Sequence, residues 1–288
     1  MSRPRIIVLG ETGFLGSILK ERLQNKKYFL RAVGRSELDL SKPIPAEFVE
    51  TLKSGAFDYA IICAALTDVE ACHLNPTLSH QINVTGMIQL FELLRQLKVV
   101  PIFFSSDYVF SNAPGPRGEK DPCLPQTVYG KQKRAAEQYL EQYFERYLIF
   151  RTSKLMSLTM HPRNILFPIV KNLSAGNEIH CFSDQWVNPV FAEDINEIVA
   201  GAIEKELNGL FHLGSRRIFT RLELALFLAS KLGLDTAKVR AIRIADLGLS
   251  EPRPTHNILD CGKIEKALGF QFTELEEVLD TIKKWTKK

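Results

Sequence analysis

Tyr129-Gly130-Lys131-Gln132-Lys133 sets a phenol and an ammonium four residues apart. On a helix, positions i and i+4 share a face, so Tyr129 and Lys133 would stand together while Lys131 points elsewhere. A free tyrosine titrates near ~10 and is a poor acid–base group at neutral pH. A neighbouring ammonium favours the phenolate and should draw that value down. Such a pair can pass a proton to or from a carbonyl oxygen while hydride moves.

Alone, this motif is common by chance. It gains weight from Gly10-Glu11-Thr12-Gly13-Phe14-Leu15-Gly16, a G-x-x-G-x-x-G loop that follows a β-branched run and opens a helical pattern. Glycine there permits a sharp turn, a close backbone approach to a pyrophosphate, and helix-on-strand packing. Amides at the helix start can then bind phosphate oxygens. The second strand ends in Gly34-Arg35-Ser36 rather than in the acid an NAD ribose needs. A guanidinium beside a hydroxyl suits a 2′-phosphate, which favours NADPH (NADP+). The competing reading makes Arg35 a surface cation, with Glu37 or Asp39 on the ribose.

Ser105-Ser106-Asp107 closes the fourth strand-like run. Ligands of open α/β sheets bind at strand C-termini, so the Ser106 hydroxyl could hold a substrate carbonyl. The alternative is a plain strand-end cap.

These groups require a scaffold, and the first half of the chain supplies its pattern. Strand-like runs at 5–9, 28–33, 59–63, 99–105 and 148–151 alternate with helix-like periods, including a long helix after Asn83 and another over 129–143. Asn83 reads as an N-cap of that helix or as a strut to the loop below the cofactor. The alternation predicts right-handed βαβ units in a doubly wound parallel sheet of the Rossmann kind. The Pro- and Gly-rich stretch 111–127 predicts a long loop. Beyond it, helices are expected over 163–173, 193–203, 221–232 and 273–285. The expected organisation is a dinucleotide-binding domain over 1–153, to which 184–205 returns, and a smaller α/β substrate lobe from 154–183 and 206–288.

The chain has 288 residues and a formal net charge of +4. The basic residues are scattered, which argues against nucleic acid as a partner. No apolar run approaches the ~20 residues of a membrane span, and no signal peptide is visible. Five dispersed cysteines read as reduced thiols, and the expected location is the cytoplasm. Six histidines show no ligand spacing, so no metal is expected. Monomer and homodimer both stay open.

The motifs together resemble a known family. LGETGFLG (9–16), Asp39-Leu40, CAALTDVEAC (63–72), Asn83, SSDYVF (105–110), PxxxYGKQK (125–133), FRTS (150–153), DQWVNPVFAEDI (184–195) and RPTHNILD (253–260) resemble the extended short-chain dehydrogenases, and within them the dTDP-4-dehydrorhamnose reductase family. The resemblance implies NADPH in the first lobe, a nucleotide-sugar under the second, and hydride transfer to the sugar's C4 ketone. It implies that Tyr129 donates the proton, Lys133 binds the nicotinamide ribose and tunes Tyr129, and Ser106 holds the ketone oxygen. Gly10, Thr12, Gly13, Phe14 and Leu15 would line the pyrophosphate, Asp39 and Leu40 the adenine. Cys63, Ala64, Ala65 and Thr67 would form the wall under the cofactor. Ser105, Asp107, Gln185, Asn188 and Arg253 are the substrate-side candidates. Three positions depart from the family: Ser106 replaces a usual threonine, Lys154 a frequent tryptophan, and Arg117-Gly118 a common aromatic. The last two fall on the substrate side. Related epimerases and dehydratases, and the NADP-binding regulatory β subunit of methionine adenosyltransferase, are alternative readings.

Overall fold

A computed structural model describes residues 3–24 and 28–287. Five strands follow the apolar runs: β1 (Arg5–Leu9), β2 (Phe29–Val33), β3 (Tyr59–Ile62), β4 (Val100–Ser106) and β5 (Leu148–Thr152). They join the strand Gly209–Leu213 in one six-stranded sheet. From one edge the order is Gly209–Leu213, β5, β4, β3, β1, β2. Every pairing in it is parallel.

Parallel strands need crossovers, and helices supply them on both faces. They are α1 (Phe14–Gln24), α2 (Ala46–Gly55), α3 (Val69–Leu74), α4 (Pro76–His80), α5 (Gly86–Gln96) and α6 (Val128–Tyr143). Strand alternation divides the side chains between two cores. Ile6, Val8, Tyr59, Ile61, Ile102 and Phe104 face one, with α1 and the helix Ala192–Glu204 over them. Ile7, Leu9, Ala60, Ile62 and Phe103 face the other, against α2, α5 and α6. The sheet is the doubly wound one the alternation predicts.

The connection from β1 leads to β2 on one side, and β3 then pairs on the other side of β1. The loops after β1 and β3 therefore diverge at a topological switch point, where doubly wound sheets bind ligands.

A third core fills the smaller lobe. It gathers Met156, Leu166, Val170, Phe191, Leu228 and Trp285, with the helices Leu166–Ser174 and Arg221–Leu232 packed around them. The Gly209–Leu213 strand lies in the large sheet, so the lobe boundary expected at 206 moves beyond residue 213. Helix Ala192–Glu204 contributes Ile195, Ile198 and Val199 to the core over α1, so this segment packs on the large sheet. The segment expected as one helix over 273–285 is broken into short turns around a single α-helical stretch, Leu279–Lys283. No helix among the described residues is long and apolar enough to cross a membrane.

Asn83 does not cap a helix. It lies within a π-helical turn, Gln81–Thr85, that joins α4 to α5 in one run. The loop 111–127 is pinned to the C-terminal segment: the Arg117 amide donates to the Ile258 carbonyl (2.9 Å), and the Asp260 amide donates to the Arg117 carbonyl (2.8 Å).

Candidate active site

The glycine loop is drawn tight against its neighbours. Gly10 has φ +90°, and a Cβ on it would stand 2.7 Å from the Ala64 amide nitrogen. The β1 and β3 loops are thus in backbone contact, which only glycine permits. A Cβ on Gly16 would stand 2.2 Å from the Gly10 carbonyl oxygen. Phe14 and Leu15 are buried, with Phe14 stacked on His161 at 4.9 Å between centroids. Their side chains build the core, which leaves only backbone amides for a pyrophosphate. Thr12 is exposed at the loop tip, with Gly13 beside it.

At the end of β2, Arg35 and Ser36 are exposed. The Arg35 side chain is tethered by one Nε contact of 3.2 Å to Asp39, so most of its guanidinium stays open. Burial alone would raise the Asp39 pKa. The Ser41 hydroxyl and amide, then Arg35, outweigh it and hold the carboxyl below its usual value. Leu40 is core, and a Cβ on Gly86 would stand 2.0 Å from its carbonyl oxygen. Leu40 therefore positions the floor under α5 rather than offering a side chain to adenine. Ala64 and Ala65 are half-buried and Thr67 is exposed along the wall after β3. Burial pushes the Cys63 thiol up to about 12, so it is inert packing.

That wall is strutted to α6. Asn83 Oδ1 accepts from the Leu66 amide (2.9 Å), and Nδ2 donates to the Leu66 carbonyl (2.9 Å) and to Gln132 Oε1 (2.9 Å). Gln132 Nε2 in turn donates to Ser79 Oγ (2.7 Å). Of the two roles open to Asn83, the strut is the one realised.

Helix α6 begins at a Thr127 cap, whose Oγ1 accepts from the Gly130 amide (3.0 Å). Gly130 lets it sit against the turn after β4: a Cβ there would stand 2.2 Å from the Tyr108 carbonyl oxygen. This close approach brings Tyr129, Lys133 and Ser106 together. The Tyr129 ring meets Tyr108 edge-on at 6.0 Å. Lys133 Nζ lies 5.9 Å from the Tyr129 ring centre and 4.6 Å from that of Phe103, and donates to the Phe104 carbonyl (2.8 Å).

The expected depression of the Tyr129 pKa is not found. Burial pushes the phenol above its usual range, and the Asp107 charge adds to this, while Ser106 works in the opposite direction. Lys133 is itself pulled down to about 8, chiefly by burial. Tyr129 is therefore a neutral phenol at physiological pH, the form that can donate a proton.

Ser106 is also a cap: its Oγ accepts from the Tyr108 amide (3.2 Å) and donates to Asp107 Oδ1 (2.8 Å). The hydroxyl has one proton, so gripping a ketone oxygen requires it to turn from Asp107. Burial raises Asp107 to about 6, against the Ser106 hydrogen bond and the Lys154 charge.

Comparison with known proteins follows the same lines. The model of the RmlD substrate binding domain matches residues 4–286. The chain belongs to the RmlD family. Curated RmlD-like relatives include the "Probable low-salt glycan biosynthesis reductase Agl14" of Haloferax volcanii, 26% identical with 94% of this chain and 95% of that one covered. A dTDP-4-dehydrorhamnose reductase of Sinorhizobium fredii is 27% identical, with 95% and 94% covered. A solved dTDP-4-dehydrorhamnose reductase from Bacillus anthracis, in complex with NADP, superposes with a TM-score of 0.89 at 23% identity, covering 97% of this chain and 98% of that one.

In this RmlD family member the residues expected on the substrate side sit in different environments. Asn188 spends its amide on backbone: Nδ2 donates to Ser215 (3.0 Å) and Leu259 (2.9 Å) carbonyls, and Oδ1 accepts from the Leu259 amide (3.0 Å). It is a strut between loops, with both amide donors used. Ser105 is buried with its hydroxyl unpartnered, and its carbonyl accepts from Thr152 Oγ1 (3.3 Å). Gln185 is buried and donates to the Pro254 carbonyl (3.4 Å). Arg253 Nη2 donates to Glu70 Oε2 (2.7 Å), and its Nη1 is buried without a hydrogen-bond partner. That nitrogen lies 3.7 Å from Glu251 Oε2, so the guanidinium is shared between two carboxylates.

Spacing alone did not reveal the ion pair behind this site. Glu137 of α6, fully buried, accepts from Arg151 of β5 at two points: Nε to Oε1 (2.9 Å) and Nη2 to Oε2 (2.8 Å). Arg134 reaches the same carboxylate (2.9 Å). His212 stands beside Arg151, and burial, then the Arg151 charge, push its imidazole down to about 4.

Proposed function

We propose that this chain reduces the C4 ketone of a nucleotide-linked 4-keto-6-deoxy sugar with NADPH as reductant. The carrying observation is the Tyr129–Lys133 pair on one face of α6, drawn by Gly130 against the turn after Ser106, at the end of the sheet where the β1 loop touches the β3 loop. The named reductases among its relatives, all near a quarter identical, support the same reading over an epimerase, a dehydratase or a regulatory subunit.

NADPH, when bound, supplies the hydride for the ketone carbon. Gly10, Thr12, Gly13 and the amides of Phe14 and Leu15 hold the pyrophosphate at the helix start. Arg35 and Ser36 take the 2′-phosphate. Ser106 turns its hydroxyl to the ketone oxygen and fixes it near Tyr129. As that oxygen gains negative charge, the Tyr129 hydroxyl gives up its proton to it, and the product is the alcohol. The resulting phenolate is stabilised by the Lys133 ammonium and reprotonated from solvent. Arg253, paired with Glu70 and Glu251, ties the C-terminal segment to α3.

Two outcomes are expected here. Arg35→Glu should raise the NADPH KM by about tenfold or more and change the NADH KM little, because a charge-assisted phosphate contact is replaced by repulsion. Steady-state kinetics with both cofactors check it, and equal effects on the two would sink the 2′-phosphate assignment. Lys133 bears its charge below its pKa of about 8, so the stabilised phenolate is lost as pH rises through that value. Turnover should therefore fall on the alkaline side. A kcat profile level from about pH 6 to about 10 contradicts this role for Lys133.

A further inference from the structure

The short strand His256–Asn257 pairs in parallel with Trp186–Val187. It reaches the large sheet through β5. Ser106 and Thr152 are register partners at the C-terminal ends of β4 and β5, and the next residue, Ser153, donates its hydroxyl to the Asn257 carbonyl (3.4 Å). Asn257 therefore lies against the strand ends that carry Ser106. Its backbone surroundings are pinned. Asn112 Oδ1 accepts from the Thr255 (2.8 Å) and His256 (3.1 Å) amides. The Thr255 carbonyl accepts from the Trp186 amide (2.6 Å), and Asn188 grips both the amide (3.0 Å) and the carbonyl (2.9 Å) of Leu259.

The side chain held in this frame bonds nothing. Asn257 is 3% exposed, and neither its Nδ2 nor its Oδ1 has a hydrogen-bond partner among the described residues. A carboxamide offers two donors and an acceptor, and leaving both ends unmade in the interior is costly. An apolar side chain of the same shape would avoid that cost, so the fold itself does not need the amide. Burial to this degree does not remove it from the cleft. Ser106 and Tyr129, the groups expected at the ketone, are each only 7% exposed, so this end of the site is narrow. The amide also acts on Asp107, the neighbour of Ser106. It is one of the groups that counter the effect of burial on that carboxyl, although no hydrogen bond joins the two.

In a 4-keto-6-deoxy sugar the two carbons beside the ketone differ: C5 bears a methyl group and C3 a hydroxyl. A hydroxyl both donates and accepts, as a carboxamide does. We propose that Asn257 binds the C3 hydroxyl of the keto-sugar and so selects substrates that keep this hydroxyl beside the ketone. The proposal rests on the reductase reading and adds a specificity-determining residue to it. Asn257 touches the sugar and moves no proton in the redox step. A site built to hydrogen-bond a substrate hydroxyl rejects the analogue that lacks it, because its own buried polar groups then stay unpaired.

Equilibrium binding tests this without turnover. Protein loaded with NADP+ is titrated with dTDP-6-deoxyglucose and with its 3-deoxy counterpart, and the uridine compounds are run in parallel. The compound with the 3-hydroxyl should bind about tenfold tighter. That preference should vanish in Asn257→Leu, while the thermal midpoint equals or exceeds that of wild type, because an unbonded amide has given way to an apolar group of similar volume. The preference is a ratio within one protein sample and is insensitive to partial misfolding; Asn257→Ala supplies the same comparison if the leucine protein does not fold. Equal affinity of wild type for the two sugars, preference for the 3-deoxy compound, or binding of none overturns the proposal. So does a preference that persists in Asn257→Leu with a lowered midpoint, which would make the amide a part of the fold alone. Failure of the reductase reading is separate: NADPH oxidation would stay flat with the 4-keto forms of both sugars while the binding preference persisted.

Discussion

Tyr129→Phe is expected to lower kcat by about 10²- to 10⁴-fold, the usual contribution of a positioned proton donor. The ring is buried against Tyr108, so phenylalanine keeps the packing and removes only the hydroxyl. NADPH affinity should change by less than about threefold, since no cofactor contact rests on that oxygen alone. Single-turnover oxidation of NADPH, with cofactor binding measured separately by fluorescence, checks both halves. Turnover within about threefold of wild type would remove Tyr129 from the reaction and, with it, the reductase mechanism.

The second large effect is on stability. Glu137 and Arg151 are both fully buried, and their two-point pair joins the catalytic helix to β5. Removing one partner strands the other charge in a low-dielectric interior, which costs about 3–5 kcal/mol. Glu137→Gln should therefore lower the unfolding free energy by that amount and Tm by about 10 °C. The double change Glu137→Leu with Arg151→Met should recover most of the loss, because a buried pair is often no more stabilising than an apolar one of similar volume. Denaturant titration of the three variants decides it. A loss under about 1 kcal/mol in Glu137→Gln would mean that water or a neighbour already compensates the charge.

Much of this architecture is readable along the chain because its signals are local. The glycine loop, the β-branched runs and the Tyr129–Lys133 spacing each act within a few residues of themselves, and the sheet and its switch point follow. What stayed hidden depends on contacts between distant segments. Asn188 reads as a polar residue in a turn, and only the fold brings Ser215 and Leu259 to its amide. Arg151 lies in a recognisable FRTS stretch, but its partner Glu137 belongs to another element. The Tyr129 expectation failed for the same reason. Helical spacing places the ammonium nearby but carries no information about burial, and burial decides the sign. The lobe boundary at 206 was misplaced because strand Gly209–Leu213 carries half-buried residues at its start and gives no sign of the sheet it joins.

The hydrogen bonds from Asn83 to Leu66 and Gln132 tie the loop after β3 to α6, the helix of Tyr129 and Lys133. Those two parts travel together. From the C-terminal segment, Glu251 Oε1 accepts from the Val128 amide at the start of that helix (2.6 Å), and Arg253 donates to Glu70 of α3 (2.7 Å). A displacement of the loop after β3 would therefore be passed directly to Gln132 and so to the turn of α6 that carries Tyr129 and Lys133.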